Sequence, residues 1–313
     1  MMILITGGGG FIGCHLARDL VDRGQEVLLM DLQFIEPPSF LAPYSDRQVK
    51  RVQGDMGDLS FLYRVLKEYK VDSIIHAASL HETTGVLYEA LKVNIDGTIE
   101  ILEAARIFGL RRVSFISSVM VYVLNESMET LQEDMSLPWA SLGYISGTKK
   151  AGEQICQLYA KEYGMSIPIV RPSDVWGPLY RSGRQRQQAM VENAVSGRPT
   201  DLSEVYGGRK WPYVYVRDCA RAINLVHLTP SLKRDIYNIA DGETHSLTDF
   251  AEAIRAVIPT AQIELGTTRS EKDFDLPPMS IERIKEDLGF TPEYGFKQAV
   301  RAYINWVRDG KYV

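Results

Sequence analysis

The chain has 313 residues, 45% of them hydrophobic and 24% charged, with a formal net charge of −5. Its sequence pI is about 5.7 and its mean hydropathy −0.13, so it has the length and composition to bury a large core. An acidic balance offers no basic face for nucleic acid or an anionic membrane. The three widely spaced cysteines, Cys14, Cys156 and Cys219, provide neither metal-ligand spacing nor a disulfide framework, and they fit a reducing cytoplasm.

From the N-terminus, short apolar runs alternate with amphipathic stretches, the pattern of a parallel sheet with crossover helices. Met2–Ile5 reads as a buried strand; the apolar run stops before Thr6 and is too short for a secretory signal or a membrane span. Gly13–Arg23 reads as a helix with Leu16, Ala17, Leu20 and Val21 on one face, closed by Gly24. Strands follow at Glu26–Met30, Val49–Val52 and Ser73–His76, and helices at Leu59–Tyr69 and Leu87–Phe108. A strand at Arg112–Ile116, a helix at Ser146–Tyr163 and a strand at Ile167–Val170 complete the regular part. The fold class is α/β, a doubly wound parallel (Rossmann) sheet with a smaller mixed C-terminal substrate lobe. The nucleotide-binding domain is expected over 1–172, with 212–240 returning to it, and the lobe over 173–211 and 241–313.

Thr6-Gly7-Gly8-Gly9-Gly10-Phe11-Ile12-Gly13 lies between the first strand and the first helix. Gly7 permits the tight turn, Gly10 lets backbone approach a pyrophosphate, and Gly13 lets helix pack closely on sheet. Asp31 at the end of strand two is placed to accept from the adenosine ribose hydroxyls and would repel a 2′-phosphate, so NAD is expected as cofactor and NADP is not. Asp55 and Asp58 in Gly54-Asp55-Met56-Gly57-Asp58 are candidate acceptors for an adenine amino group, or surface acids. His76-Ala77-Ala78-Ser79 ends strand four, where small residues leave room for a cofactor; His76 alone reads as a structural histidine.

These pieces together resemble the extended short-chain dehydrogenases/reductases, in particular the NAD-dependent epimerase/dehydratase group that includes nucleotide-sugar epimerases. The resemblance runs from Met2 to about Val307. Besides the motifs above it rests on Asn94 in NIDGT, Ser117-Ser118 with Val121-Tyr122, Lys149 followed by Glu153, Arg171-Pro172 with Gly177-Pro178, Val216-Arg217-Asp218, and LGFTP at 288–292. It implies cofactor contacts from Phe11, Ile12, Met56, Ser79, Asn94, Ser117 and Lys149 in addition to the glycines, Asp31, Asp55, Ala77 and Ala78.

It also implies a serine, tyrosine and lysine beside the nicotinamide: a tyrosinate takes the hydroxyl proton as hydride leaves the substrate, a lysine lowers the tyrosine pKa, and a serine holds the substrate oxygen. Ser118 and Lys149 match the serine and lysine. The tyrosine is expected four residues before the lysine, and Ile145 stands there. Tyr144 precedes Lys149 by five, about 140° away on an ideal helix against about 40° for position 145. Three readings stay open: Tyr144 acts from a non-helical or bulged first turn; His81, Glu82 or Tyr122 supplies the base; or the chain binds NAD without turnover.

On the substrate side, nucleotide-sugar members carry Arg-Asp where this chain has Trp211-Pro212, and an asparagine where it has Asp174. Against those departures stand Arg181, Arg184, Arg186, Arg209, Lys210 and Arg269, either anion-binding groups or solvated loop charges. His81, Asp174, Arg184 and Trp211 are the substrate-side candidates, with Trp176 and Trp211 either a stacking wall or core aromatics. The expected function is an NAD-dependent epimerase, dehydratase or dehydrogenase acting on a hydroxylated small molecule, sugar derivatives included. A non-catalytic NAD-binding regulatory protein is the alternative. No metal site is expected, and the resemblance implies a homodimer paired through the two long helices at about 87–108 and 146–163.

Overall fold

The computed structural model describes residues 1–34, 41, 44, 47–81, 86–124, 129–180, 186–271 and 273–309. In chain order, β1 (Met2–Thr6) leads into α1 (Phe11–Asp22), followed by β2 (Glu26–Asp31), β3 (Val49–Gln53), α2 (Leu59–Glu68) and β4 (Val71–His76). One continuous helix follows, made of α3 (Leu87–Leu91), a π turn (Lys92–Asp96) and α4 (Gly97–Ile107). Then come β5 (Arg112–Ile116), a short 3-10 turn (Val119–Val121), α5 (Tyr144–Tyr163), β6 (Ile169–Pro172), β7 (Asp174–Trp176) and α6 (Arg186–Val195). The chain closes with β8 (Thr200–Tyr206), β9 (Trp211–Tyr215), α7 (Val216–Leu228), β10 (Ile236–Ile239), β11 (Thr244–His245), α8 (Leu247–Arg255), β12 (Ile263–Gly266), α9 (Glu282–Leu288) and α10 (Phe296–Asp309).

Seven strands form one parallel sheet in the order β10-β6-β5-β4-β1-β2-β3. The order reverses between β1 and β4, and in doubly wound sheets ligands bind in the crevice beyond the C-terminal strand ends at that reversal. Every residue of β1 is buried because both faces are covered. Ile3 and Ile5 pack under α1 and α7, while Met2 and Leu4 pack under α2, α4 and α5. β3 at the sheet edge alternates instead, its Lys50 and Val52 half-buried between exposed Arg51 and Gln53.

α7 is pinned to the sheet by polar groups. The buried His227 ring lies between Ser73 Oγ (2.9 Å from Nε2) and Ser114 Oγ (2.8 Å from Nδ1). Arg112 donates from Nη1 to the Val226 and His227 carbonyls at 3.1 and 2.9 Å, satisfying groups that a helix C-terminus leaves open. A third core holds Trp176, Trp211, Tyr213, Phe250, Leu247 and Tyr303, with a three-stranded sheet (β11-β9-β7) and the parallel β12-β8 pair beside it. Residues from α7 to β10 return to the seven-stranded sheet and its core, whereas β9 stays with the small sheet.

The helix over 146–163 starts two residues earlier than the sequence pattern indicated, because Tyr144 and Ile145 already wind helically behind Gly143. The strand expected at 167–170 lies two residues later, paired with β10 from Ile169 to Pro172.

Candidate active site

The turn after β1 is built around missing side chains. Gly7 has φ +66°, and a Cβ there would stand 2.9 Å from the backbone of Ala78, so turn and β4 end interlock. A Cβ at Gly13 would press on the Gly7 carbonyl and lie 2.8 Å from Gly8 Cα. At Gly10, the N-cap of α1, an added Cβ would meet only the Gly7 carbonyl oxygen, 3.1 Å away. Asp31 Oδ2 accepts from Gly9 N–H at 3.0 Å and ties the turn to β2. Phe11 and Ile12 are half-buried in the first turn of α1, with Phe11 edge-on to Tyr180 at 5.2 Å. A glycine cradle at a helix N-terminus beside a carboxylate on the next strand fits a dinucleotide: the N–H groups suit a pyrophosphate and Asp31 a ribose diol.

The flanking loops are less uniform. Asp55 is exposed and accepts from Gly57 N–H at 2.9 Å, and Asp58 caps α2 through Phe61 N–H at 3.0 Å. Met56 is buried beneath Gly97, whose missing Cβ leaves room for its Cε. His76 is a structural histidine: Nδ1 lies 2.7 Å from Thr6 Oγ1 and Nε2 3.1 Å from Thr98 Oγ1. Burial lowers its pKa to about 3, so the ring is neutral. Ala78 N–H donates to Thr6 Oγ1 at 3.2 Å and Ala77 N–H to the Thr6 carbonyl. Asn94, inside the π turn, collects this edge. Its Oδ1 accepts from Ser79 Oγ and Leu80 N–H, and its Nδ2 donates to the Leu80 carbonyl and to Thr148 on α5.

Ser117 and Ser118 follow β5. The Ser117 hydroxyl donates to Glu153, which is clamped by Arg171 through Nε at 2.9 Å and Nη2 at 2.6 Å. Ser118 is half-buried and accepts from Met120 N–H at 3.2 Å. Lys149 is buried, donates from Nζ to the Ile116 carbonyl at 2.8 Å, and stands 5.0 Å over the Phe115 ring. Desolvation pulls its pKa down to about 8, against the opposing pull of Cys156 and Glu153. Lys149 and Ser118 therefore converge on the C-terminal end of one strand.

Ile145 is buried at the position four before Lys149, and Tyr144 is the half-buried first residue of α5. The first turn of α5 is regular α-helix, so the bulge anticipated there is absent; the π turn lies in the facing helix, at Lys92–Asp96. Tyr122 is unsuited as a base. It is fully buried, donates to Asn238 Oδ1 at 2.8 Å and accepts from Arg171 at 2.7 Å, and burial pushes its pKa up to about 12. His81 is exposed, and Glu82 lies outside the described residues.

On the substrate side, Asp174 pairs in register with Tyr213 across β7 and β9, just past the end of β6. Burial raises the Asp174 pKa to about 7, with Arg209 pulling it back. The Arg209 guanidinium lies 4.0 Å over Trp211 and 5.0 Å from Phe274, and its buried Nε has no hydrogen-bond partner among the described residues. Trp211 is thus a platform for a cation, and Trp176 is a core aromatic between Phe250 and Tyr215. Lys210 pairs with Asp249 at 2.5 Å and Arg269 with Asp275 at 3.1 Å. Arg181 and Arg184 lie outside the described residues. Among the described residues no group of three His, Cys, Asp or Glu is arranged to hold a metal, and no helix is long and apolar enough to cross a membrane.

Sequence reasoning passed over His15, which is buried 3.1 Å from the Pro178 carbonyl, edge-on to Phe11, and neutral because burial lowers its pKa to about 3. It joins α1 to the segment that carries Tyr180, and a lone histidine on an apolar helix face gives no sign of that. It also passed over Ser146 and Lys150, considered below.

With this geometry in place, comparison with known proteins gives the class. The model of the NAD dependent epimerase/dehydratase family matches residues 3–240, and the chain belongs to that family of enzymes, within the extended short-chain dehydrogenases/reductases. A relative in Mus musculus, dTDP-D-glucose 4,6-dehydratase, is 26% identical, the match covering 98% of this chain and 88% of that one. The UDP-glucose 4-epimerase of Thermotoga maritima, solved with UDP-glucose, superposes with a TM-score of 0.86 at 20% identity over 99% of both chains. That of Thermus thermophilus, solved with NAD, gives 0.84 at 24% identity over 99% of this chain and 100% of that one. The two structures share the fold.

Proposed function

We propose that the chain is an NAD-dependent epimerase or dehydratase acting on a nucleotide sugar, with Ser118, Tyr144 and Lys149 at the reacting carbinol. The observation that carries this reading is the buried Lys149, fixed to the Ile116 carbonyl two residues before Ser118, on the same sheet edge as the glycine cradle. Gly7, Gly10, Gly13 and Asp31 would hold the cofactor, together with the ends of β4 and β5. Bound NAD supplies a two-electron acceptor for the substrate carbinol. Ser118 would hold the substrate oxygen. Tyr144, although about 140° round the regular helix from Lys149, would take the oxygen's proton from the first turn of α5, and the Lys149 charge would favour the phenolate. A buried ammonium with its pKa near 8 gives that charge without binding bulk water.

The substrate lobe would comprise 173–215, β9 included, and 241–313. Within it, Arg209 on its aromatic platform is the cation we assign to the substrate's anionic part, in place of the arginine missing at 211. Exposed Ile99, Ile107, Leu158 and Tyr163 on α4 and α5 fit a homodimer face.

The test is turnover of UDP-glucose and dTDP-glucose by the purified protein, with the nucleotide released on denaturation identified as NAD or NADH. Conversion that falls by about a thousandfold in Tyr144→Phe supports proton transfer by Tyr144. Conversion that survives in Tyr144→Phe removes it from that role. A protein that binds NAD tightly and converts neither sugar is the non-catalytic alternative, and Ile145 is the observation in its favour.

A further inference from the structure

We infer that Ser146 and Lys150 are positioning residues that set the first turn of α5, and with it Tyr144, against Ser118; this rests on the proposed role of Tyr144. Helix starts are normally fixed by a Ser, Thr, Asp or Asn cap, and here the N-cap is Gly143, with no side chain to bond the open N–H groups. Two side chains from inside the helix hold the start in its place. Ser146, fully buried, donates from Oγ to the Met120 carbonyl at 2.8 Å. Since Met120 N–H is held by Ser118 Oγ at 3.2 Å, the Met120 residue is gripped from both sides. A two-bond bridge thus runs from Ser118 through Met120 to the third residue of α5.

Lys150 fixes the incoming chain. Its Nζ donates to the Pro138 carbonyl at 2.6 Å, the Ala140 carbonyl at 2.5 Å and Ser141 Oγ at 3.4 Å, all in the segment that leads into Gly143. Lys149, its neighbour, is bound to the Ile116 carbonyl on β5. Three side chains therefore tie α5 to the 3-10 turn, to the incoming segment and to the sheet, which fixes its rotation about its axis. Such restraint matters more here than with a tyrosine at 145. The phenol at 144 is about 100° further round the helix, so its reach depends on how the first turn is held.

The test uses the full-length protein loaded with NAD. Ser146→Ala and Lys150→Met are expected to lower kcat by about ten- to a hundredfold, the scale of an ångström's misplacement, with KM and NAD affinity within about twofold. Lys150→Arg, which can still reach two carbonyls, should restore most of kcat, a rescue that general loss of stability would not show. Crystal structures of wild type and Ser146→Ala supply the second readout: the Tyr144–Ser118 separation should change by about 1 Å or more. An unchanged separation, or kcat unaffected by both variants, overturns the inference. If the separation changes but wild type converts no nucleotide sugar, the positioning stands and the proposed function falls.

Discussion

Acidification from pH 7 to pH 5 should cost this fold up to about 4 kcal/mol, and the amount can be worked from four buried groups. His15, His76 and His227 are neutral in the fold, their pKa values lowered by burial from 6.5 to about 3. In the unfolded chain each takes up a proton as the pH falls through 6.5, so stability present above that value is lost on the way down. At pH 5 the loss is about 2 kcal/mol for each histidine, or about 6 kcal/mol for three. Asp174 acts in the opposite sense. Its folded pKa of about 7 lies above the ordinary 3.8, so the cost of keeping it ionised is relieved as the pH falls, returning about 2 kcal/mol. Burial also raises Glu133, which works with Asp174 and makes 4 kcal/mol a ceiling. Against a typical domain stability of about 5–15 kcal/mol that is a large fraction. Urea unfolding followed by circular dichroism at pH 7, 6 and 5 measures it. In His227→Gln the decline should be shallower by about 1.4 kcal/mol per pH unit below pH 6. Stability equal or higher at pH 5, or a slope unchanged in that variant, would refute the reasoning.

Gly13→Ala pushes a methyl into the Gly7 carbonyl and Gly8, so the turn must open; NAD affinity measured by calorimetry should fall by about tenfold or more. Arg171→Met leaves the buried Glu153 carboxylate without its bidentate partner and should lower unfolding free energy by about 3–5 kcal/mol, much of it recovered in Arg171→Met/Glu153→Leu. Asp31→Ala removes the acceptor for Gly9 N–H and the charge proposed to exclude a 2′-phosphate. The NAD-over-NADP preference in competition binding should shrink by about tenfold, and an unchanged ratio would place the discrimination elsewhere.

The nucleotide half was legible because its constraints are local. A glycine that must bend or admit a neighbour's backbone, as at Gly7 and Gly13, cannot be exchanged without trace, and Asp31 follows from strand length alone. Ser118 and Lys149 were found through the resemblance, and the structure brings them to one strand end. The start of α5 was misjudged because Gly143 carries no capping signal and the compensating groups are Ser146 and a lysine six residues into the helix. The bulge was sought there because of the Tyr144 offset, yet π turns leave no residue-type mark and this one sits opposite. His81 is exposed beside residues outside the description, and Arg184 lies outside it as well. For Arg209 the sequence offered one charge among six; only the fold lays it on Trp211 and leaves its Nε unbonded.

The π turn at Lys92–Asp96 makes the long helix a counter that has already been advanced by one. Wider winding holds one residue more than α-helical geometry would over the same stretch. Deleting a single residue between 92 and 96 would let the helix run straight as α-helix, with little strain in the backbone. Because the wider turn already absorbs that residue, α3 would keep nearly the same side relative to α4. Tyr88 and Leu91 would stay exposed, and Asn94, inside the turn itself, would lose its simultaneous hold on Ser79, Leu80 and Thr148. At this point the chain would tolerate a shorter length as a folded protein and lose the join between the β4 edge and α5.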